Sequence, residues 1–292
     1  MTASQAVNKF SPHDDSDAFA GRWPDWAEKY RLDDALSEQA YEATPPRCRT
    51  ALKSALALAF MHFGQSPGRT RESRADAHLG YWRQTTAFPA PWALVAFTPH
   101  YTAAARLAAA CVPAHLAGVP LLGAVCVGGH PSPQALVTLD LSGVENIFTL
   151  LDAAALCALL EESQPGPGRL ALLHEGELDS ARHAARALGV PCFEERRSPA
   201  LVLPEPAAFD LEVLSFAQGK ALEQALEPAH PVTPTALYLA SEAARGHCRH
   251  HRCGPHHADS LALSPGCECF WLHAGLTPDF FRVSRLAFGP LP

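Results

Sequence analysis

Charge is scarce in this chain. Asp, Glu, Lys and Arg make up 18% of its 292 residues, below the roughly 25% usual for soluble proteins. With 30 acidic against 23 basic residues, the net charge of -7 gives no overall basic field to draw the chain onto a phosphate backbone, so nucleic-acid binding is not expected. Paired Cys-x-x-Cys knuckles are missing, which excludes the standard zinc fingers and ribbons. An intact G-x-G-x-x-G is missing as well, so the usual dinucleotide loop cannot be assigned. The opening residues carry Asp14, Asp15 and Asp17 in place of a basic-then-apolar run, and no secretory leader is expected. No fixed-period repeat runs through the chain.

What remains is an ordinary globular composition. The apolar fraction of 48% excludes wholesale disorder, and the length corresponds to about two domains at roughly 150 residues each. Nine cysteines, an odd number scattered through apolar segments, fit a reducing cytoplasm better than a secreted disulfide frame. Leu107 to Leu139 contains no Asp, Glu, Lys or Arg and exceeds the roughly 20 residues of a membrane span. Pro113, Gly118, Pro120, Gly123, Pro131 and Pro133 cut it into pieces of globular length, so buried helix and sheet are expected and a membrane partner is not.

Residues 1–43 are acidic, with Trp23, Trp26 and Tyr30 placed to pack as an N-terminal arm or to dock on a partner chain. Thr44-Pro45-Pro46 marks a helix start, followed by Leu52, Leu56, Phe60 and Phe63 at helical spacing. Gln65 to Thr86 is polar and arginine-rich and reads as a loop-bearing connection. Thereafter strand and helix patterns alternate: strands at 92–97, 121–127, 146–149, 169–173, 191–193, 200–203 and 235–239, helices at 102–117, 133–141, 153–162, 179–188 and 207–226. Such alternation predicts an α/β fold with mostly parallel sheets in two Rossmann-like domains.

The densest group of candidate ligands is His247-Cys248-Arg249-His250-His251-Arg252-Cys253-Gly254-Pro255-His256-His257, followed by Cys267-Glu268-Cys269. Imidazole and thiolate suit zinc, and His247, His250 and Cys253 are the candidate metal ligands. The alternative reading of the same loop is a polar, partly exposed surface segment, and Arg249 and Arg252 also permit a local anion site. Val127-Gly128-Gly129-His130 follows a strand but leads into prolines, which leave few N–H groups for a phosphate. His174-Glu175-Gly176-Glu177 follows another, and its two carboxylates suit a helix start rather than a pyrophosphate. Cys111, Cys126, Cys157 and Cys192 lie in apolar runs and read as inert buried thiols, so a reactive one would be sought among Cys248, Cys253, Cys267 and Cys269.

Several of these segments, in order, resemble the histidinol dehydrogenase family, whose fold is related to the aldehyde dehydrogenases. The resemblance rests on Ala109-Ala110-Cys111-Val112-Pro113-Ala114-His115-Leu116-Ala117-Gly118-Val119, on Gly143-Val144-Glu145-Asn146-Ile147-Phe148, and on Leu201 to Glu205 with Asp210 to Gly219. It continues in Gly254-Pro255-His256-His257 with Gly275-Leu276-Thr277 and Asp279-Phe280, and Met61-His62-Phe63-Gly64-Gln65 is an early echo. The resemblance implies a main α/β domain from residues 44–97 plus 200–292, a Rossmann-like domain inserted at 98–199, a homodimer, and zinc and NAD as cofactors.

Position by position, the resemblance carries little of that chemistry over. Two of the family's zinc ligands fall on Phe216 and Gly219, which offer no donor, and its aspartate ligand falls on His250. The cofactor-contacting turns fall on Thr98-Pro99-His100-Tyr101, Leu151-Asp152-Ala153-Ala154-Ala155 and His174-Glu175-Gly176-Glu177. His257 matches a substrate-contacting histidine, with His256 beside it; no catalytic or cofactor-binding residue is assigned. The expectation is a cytoplasmic histidinol dehydrogenase-like chain that has lost the zinc- and NAD-dependent oxidation and acts as a non-catalytic scaffold for a small-molecule or metal ligand. The alternative is an active NAD-dependent oxidoreductase on an amino alcohol or aldehyde, with a metal site rebuilt around His250, His256 and His257.

Overall fold

The structure, a computed structural model, describes residues 22–64, 68–163, 167–226, 235–250 and 261–291. Helices α1 (Asp25–Glu28), α2 (Asp34–Ala43) and α3 (Pro46–Phe63) lead into strands β1 (Thr70–Asp76) and β2 (Tyr81–Pro89). An alternating run follows: β3 (Trp92–Phe97), α4 (Ala104–Leu116), β4 (Leu121–Val127), α5 (Pro133–Leu141), β5 (Asn146–Leu150), α6 (Ala153–Glu162), β6 (Arg169–Leu173), α7 (Asp179–Ala187) and β7 (Cys192–Glu195). The remainder comprises β8 (Leu201–Val202), α8 (Leu211–Gln218), α9 (Lys220–Leu226), β9 (Ala236–Tyr238), α10 (Ser241–His250), β10 (Leu261–Leu263) and β11 (Arg282–Pro290).

The alternating run forms a five-stranded parallel sheet in the order β5-β4-β3-β6-β7. Because consecutive side chains of a strand point to opposite faces, β3 feeds two cores. Ala93, Val95 and Phe97 pack with Leu107, Ala110 and Cys111 of α4 and Leu136 and Leu139 of α5. Trp92, Leu94 and Ala96 pack on the other face with Leu156, Leu159 and Leu160 of α6 and Ala181 and Ala185 of α7. A strand buried on both faces reads as an unbroken apolar run, and Trp-Ala-Leu-Val-Ala-Phe is one.

A smaller parallel sheet, β10-β9-β8, lies beyond α4. Ala104, Ala105, Ala108 and Ala109 of α4 pack there against Leu201, Leu203, Leu214, Ala217 and Tyr238. The helix is therefore enclosed on both sides, and alanine is what the available width permits.

Three expectations need correction. Gln65 to Thr86 is not a loop throughout, because β1 and β2 form an antiparallel hairpin that β11 completes as the order β1-β2-β11. The strand Trp92–Phe97, placed with residues 44–97, is the central strand of the five-stranded sheet, so that sheet begins before residue 98. The helix expected over 207–226 is broken at Gly219, whose φ of 53° ends α8 before α9 begins. Arg169 at the start of β6 fastens the C-terminal segment: its guanidinium donates to the carbonyl oxygens of Phe280 and Arg282. Among the described residues, no helix is long and apolar enough to cross a membrane.

Candidate functional site

In the order β5-β4-β3-β6-β7 the chain winds one way from β3 and then returns to its other side, so β3 and β6 flank the topological switch point. Open α/β sheets bind ligands in the crevice beyond the carboxyl ends of such strands. A narrow cleft lies there, bounded by Thr98, Tyr101 and Arg106 after β3, His174 and Glu177 after β6, and Glu195 at the end of β7.

Its floor is a buried ionic network. The guanidinium of Arg106, whose side chain is 4% exposed, pairs through Nη1 with Oε1 of Glu195 and donates from Nη2 to the Gln218 carbonyl at 3.3 Å. Tyr101 donates its hydroxyl to the same Glu195 oxygen at 2.8 Å, and its ring lies 5.1 Å from the guanidinium carbon. His273 donates from Nε2 to the Arg106 carbonyl at 2.8 Å and places Nδ1 3.3 Å from Oε2 of Glu195. Gln218 extends the chain by donating to the Tyr238 hydroxyl at 3.0 Å. The network thus joins both parallel sheets through α4. Burial pushes the His273 imidazole below its ordinary value, against the opposing pull of Glu195, and raises the Tyr101 hydroxyl well above its own.

The crossover turns around the cleft are closed on themselves. At the start of α7, Nδ1 of His174 accepts the N–H groups of Gly176 at 2.9 Å and Leu178 at 3.2 Å, while Glu177 accepts that of Glu175 at 2.8 Å. Burial raises the Glu177 carboxyl, but backbone N–H groups at Glu177 and Glu175, with His174 and His100 nearby, hold it below its ordinary value overall. Asp152 accepts the N–H of Ala155 at α6, and Ser132 that of Ala135 at α5. These are the donors a pyrophosphate would need, and in the first two turns an anionic side chain already sits beside them. The residues present do not fit a dinucleotide's phosphates at these turns.

Zinc fares no better at the positions the resemblance assigns. Phe216 is buried in the second core and Gly219 has no side chain, so both lack a donor atom. His174, Asp179 and Glu194 bring ligand atoms within 4.8 Å of one another. There, Nδ1 of His174 already accepts two N–H groups, so Nε2 carries the proton and donates to Glu194 at 3.0 Å. Metal at Nε2 would require an imidazole with no N–H at all or the loss of both backbone bonds.

His247 and His250 fall on α10, but their side chains, like Cys253, His256 and His257, lie outside the described residues. Cys111, Cys126 and Cys192 are pushed up to about 12 by burial, consistent with inert thiols, and Cys269 is pushed higher by the same cause. Sequence reasoning missed Arg106, Tyr101, Glu195 and His273. One signal was present: Arg106 is the last charged residue before the long uncharged segment, on a helix otherwise apolar, and such an arginine requires a buried partner.

No protein-family model and no curated protein matches the sequence. Among solved structures, the histidinol dehydrogenase from Elizabethkingia anophelis is similar at a TM-score of 0.55 and 13% identity, over 89% of this chain and 77% of that one. A salicylaldehyde dehydrogenase from Pseudomonas putida G7, complexed with salicylaldehyde, aligns at a TM-score of 0.40 and 14% identity, over 74% of this chain and 48% of that one. The first of these shows a histidinol dehydrogenase-like fold, with its Rossmann-like α/β architecture. Fold alone does not carry chemistry.

Proposed function

We propose that this chain is a small-ligand-binding protein on a dehydrogenase-like scaffold and that it does not perform a zinc- and NAD-dependent oxidation. The observation that carries the reading is the closure of the β6–α7 turn by His174 and Glu177, which takes up the N–H groups of Glu175, Gly176 and Leu178. A phosphate there would displace two internal acceptors and meet a carboxylate at close range. The donor-free side chains at Phe216 and Gly219 support the same reading from the side of the metal.

The ligand-binding part of the proposal rests on the cleft at the switch point, where charged and hydroxyl-bearing groups converge beyond the carboxyl ends of the strands. The metal version, with His247, His250 and Cys253 as ligands and His256 and His257 facing a substrate, is a separable extension. Calorimetry with NAD and NADH, and a reduction assay with histidinol and added zinc, test the core of the proposal. Neither nucleotide is expected to bind and no NADH is expected to form. Stoichiometric nucleotide binding with turnover would replace the proposal with an active oxidoreductase.

A further inference from the structure

We infer that the free edge of β11 is a docking surface for a second copy of this chain, joined strand to strand about a two-fold axis at Ala287. How the chain assembles is independent of what its cleft binds. In the order β1-β2-β11, each outer strand has a neighbour on one side only among the described residues. An unpaired edge is a template for another strand unless it is blocked, and charged side chains are a common block. The two edges differ in this respect. β1 carries Arg71, Glu72, Arg74 and Asp76, whereas in the exposed stretch of β11, Ser284-Arg285-Leu286-Ala287-Phe288, Arg285 is the sole charge.

The register fixes which groups face outward. Ala90 donates its N–H to the Phe281 carbonyl at 2.8 Å, and Leu291 donates to that of Gly80 at 2.7 Å, one at each end of an unbroken β2–β11 ladder. Alternation between those ends turns the N–H and C=O groups of Val283, Arg285, Ala287 and Gly289 toward β2, and those of Ser284, Leu286 and Phe288 toward the free edge. The side chains of these last three share a face with Tyr81 of β2, and Leu286, Phe288 and Tyr81 are 57%, 65% and 57% exposed. The opposite face is covered from within. Trp82 lies across Gly289, where a Cβ would sit 2.5 Å from the ring, and the Arg285 guanidinium carbon lies 5.2 Å from the centre of the Phe88 ring. Open apolar surface and outward backbone groups therefore belong to the same residues.

One register suits a second copy. With the two-fold at Ala287, Leu286 stands opposite Phe288 of the second copy and exchanges both backbone hydrogen bonds with it. The Ser284 N–H then reaches the carbonyl of Pro290, which has no N–H of its own and ends the ladder. Each copy supplies one aliphatic and one aromatic side chain, so the two cross-strand pairs are identical. The charges match as well. Arg285 falls opposite Gly289 of the second copy, where that copy's Trp82 ring offers its face to the guanidinium; an axis at Arg285 would instead oppose two like charges. Pairing β11 with β1 of another copy would set Leu286 and Phe288 among charged residues and leave an edge free at each end, an open chain in place of a closed dimer.

The test is sedimentation equilibrium of the full chain, where a dimer is expected. Leu286→Lys places a charge on the edge at an exposed position and should weaken dimerisation about tenfold or more, with the circular dichroism spectrum unchanged. Phe288→Pro deletes an outward N–H, which an edge strand tolerates, and keeps the test open if the lysine variant does not fold. The register has its own readout. Two copies of Ala287 face each other across the axis as a non-hydrogen-bonded pair, within disulfide reach, so Ala287→Cys should cross-link the dimer under oxidised glutathione, while Arg285→Cys and the parent should not. A parent that stays monomeric up to about 100 μM would overturn the inference. So would a dimer that both edge variants leave undiminished, or one in which Ala287→Cys cross-links no faster than Arg285→Cys.

Discussion

The indole of Trp23 lies across Gly123 of β4, so closely that a Cβ on that glycine would sit 2.7 Å from Cζ2 of the ring. Trp23 is 1% exposed and meets Trp92 and Phe148 edge to face, with ring centroids 6.4 Å and 5.9 Å away. Trp23 is therefore part of the core beneath α6, with Trp26 packed against it, whereas Tyr30 is exposed. Trp23→Ala should cost roughly 3–5 kcal/mol, the usual range for deleting a buried aromatic ring. Gly123→Ala should cost about 1–3 kcal/mol by overpacking the same contact. Urea denaturation followed by circular dichroism checks both, and unchanged midpoints would show that the arm does not stabilise the sheet.

The pair formed by Arg106 and Glu195 predicts a non-additive mutant cycle. Their side chains are 4% and 11% exposed, so removing either charge strands the other in the interior. Glu195→Gln and Arg106→Met should each cost about 3–5 kcal/mol, while the double variant should recover a large part of the loss. Equal and additive losses would mean that the two groups act independently.

The two-sided sheet was legible because strands such as β3 and β4 are apolar runs buried on both faces. The hairpin was not. Thr-Arg-Glu-Ser-Arg-Ala-Asp of β1 is largely exposed and offers no alternation to read, and β2 gains its second partner from residues about 200 positions downstream. The buried network was illegible for a related reason: Arg106, Glu195 and His273 meet only through the fold, and the signal at Arg106 names no partner, while Glu195 and His273 alone look like ordinary surface residues. The dense His/Cys run drew attention by composition, which says nothing of where side chains converge.

His174 supplies a prediction about local architecture. Its ring replaces a helix cap by accepting from Gly176 and Leu178, and its side chain is fully buried. His174→Ala leaves two N–H groups without an acceptor and should cost about 1–3 kcal/mol. In hydrogen exchange, the amides of Gly176 and Leu178 should lose protection first. Retained protection at both would mean that the ring does not close the turn.

His273 makes stability depend on acid. Its Nε2 proton is committed to the Arg106 carbonyl, and burial keeps the ring below the ordinary histidine value of 6.5, so the folded chain prefers the neutral imidazole. Between the depressed folded value and 6.5 the unfolded chain binds the extra proton more readily. Stability from this group is therefore complete above 6.5 and falls as acid is added below it, until the folded-state ring also protonates. Opposition from Glu195 narrows that window, because the carboxylate 3.3 Å from Nδ1 favours the imidazolium. His273→Gln preserves a donor for the Arg106 carbonyl and removes the titration. Melting temperatures between about pH 5 and 7.5 should fall toward acid in the parent and show a shallower slope in the variant. Parallel slopes would mean that His273 protonates as readily in the folded chain as in the unfolded one, and that the burial of the ring does not govern its charge.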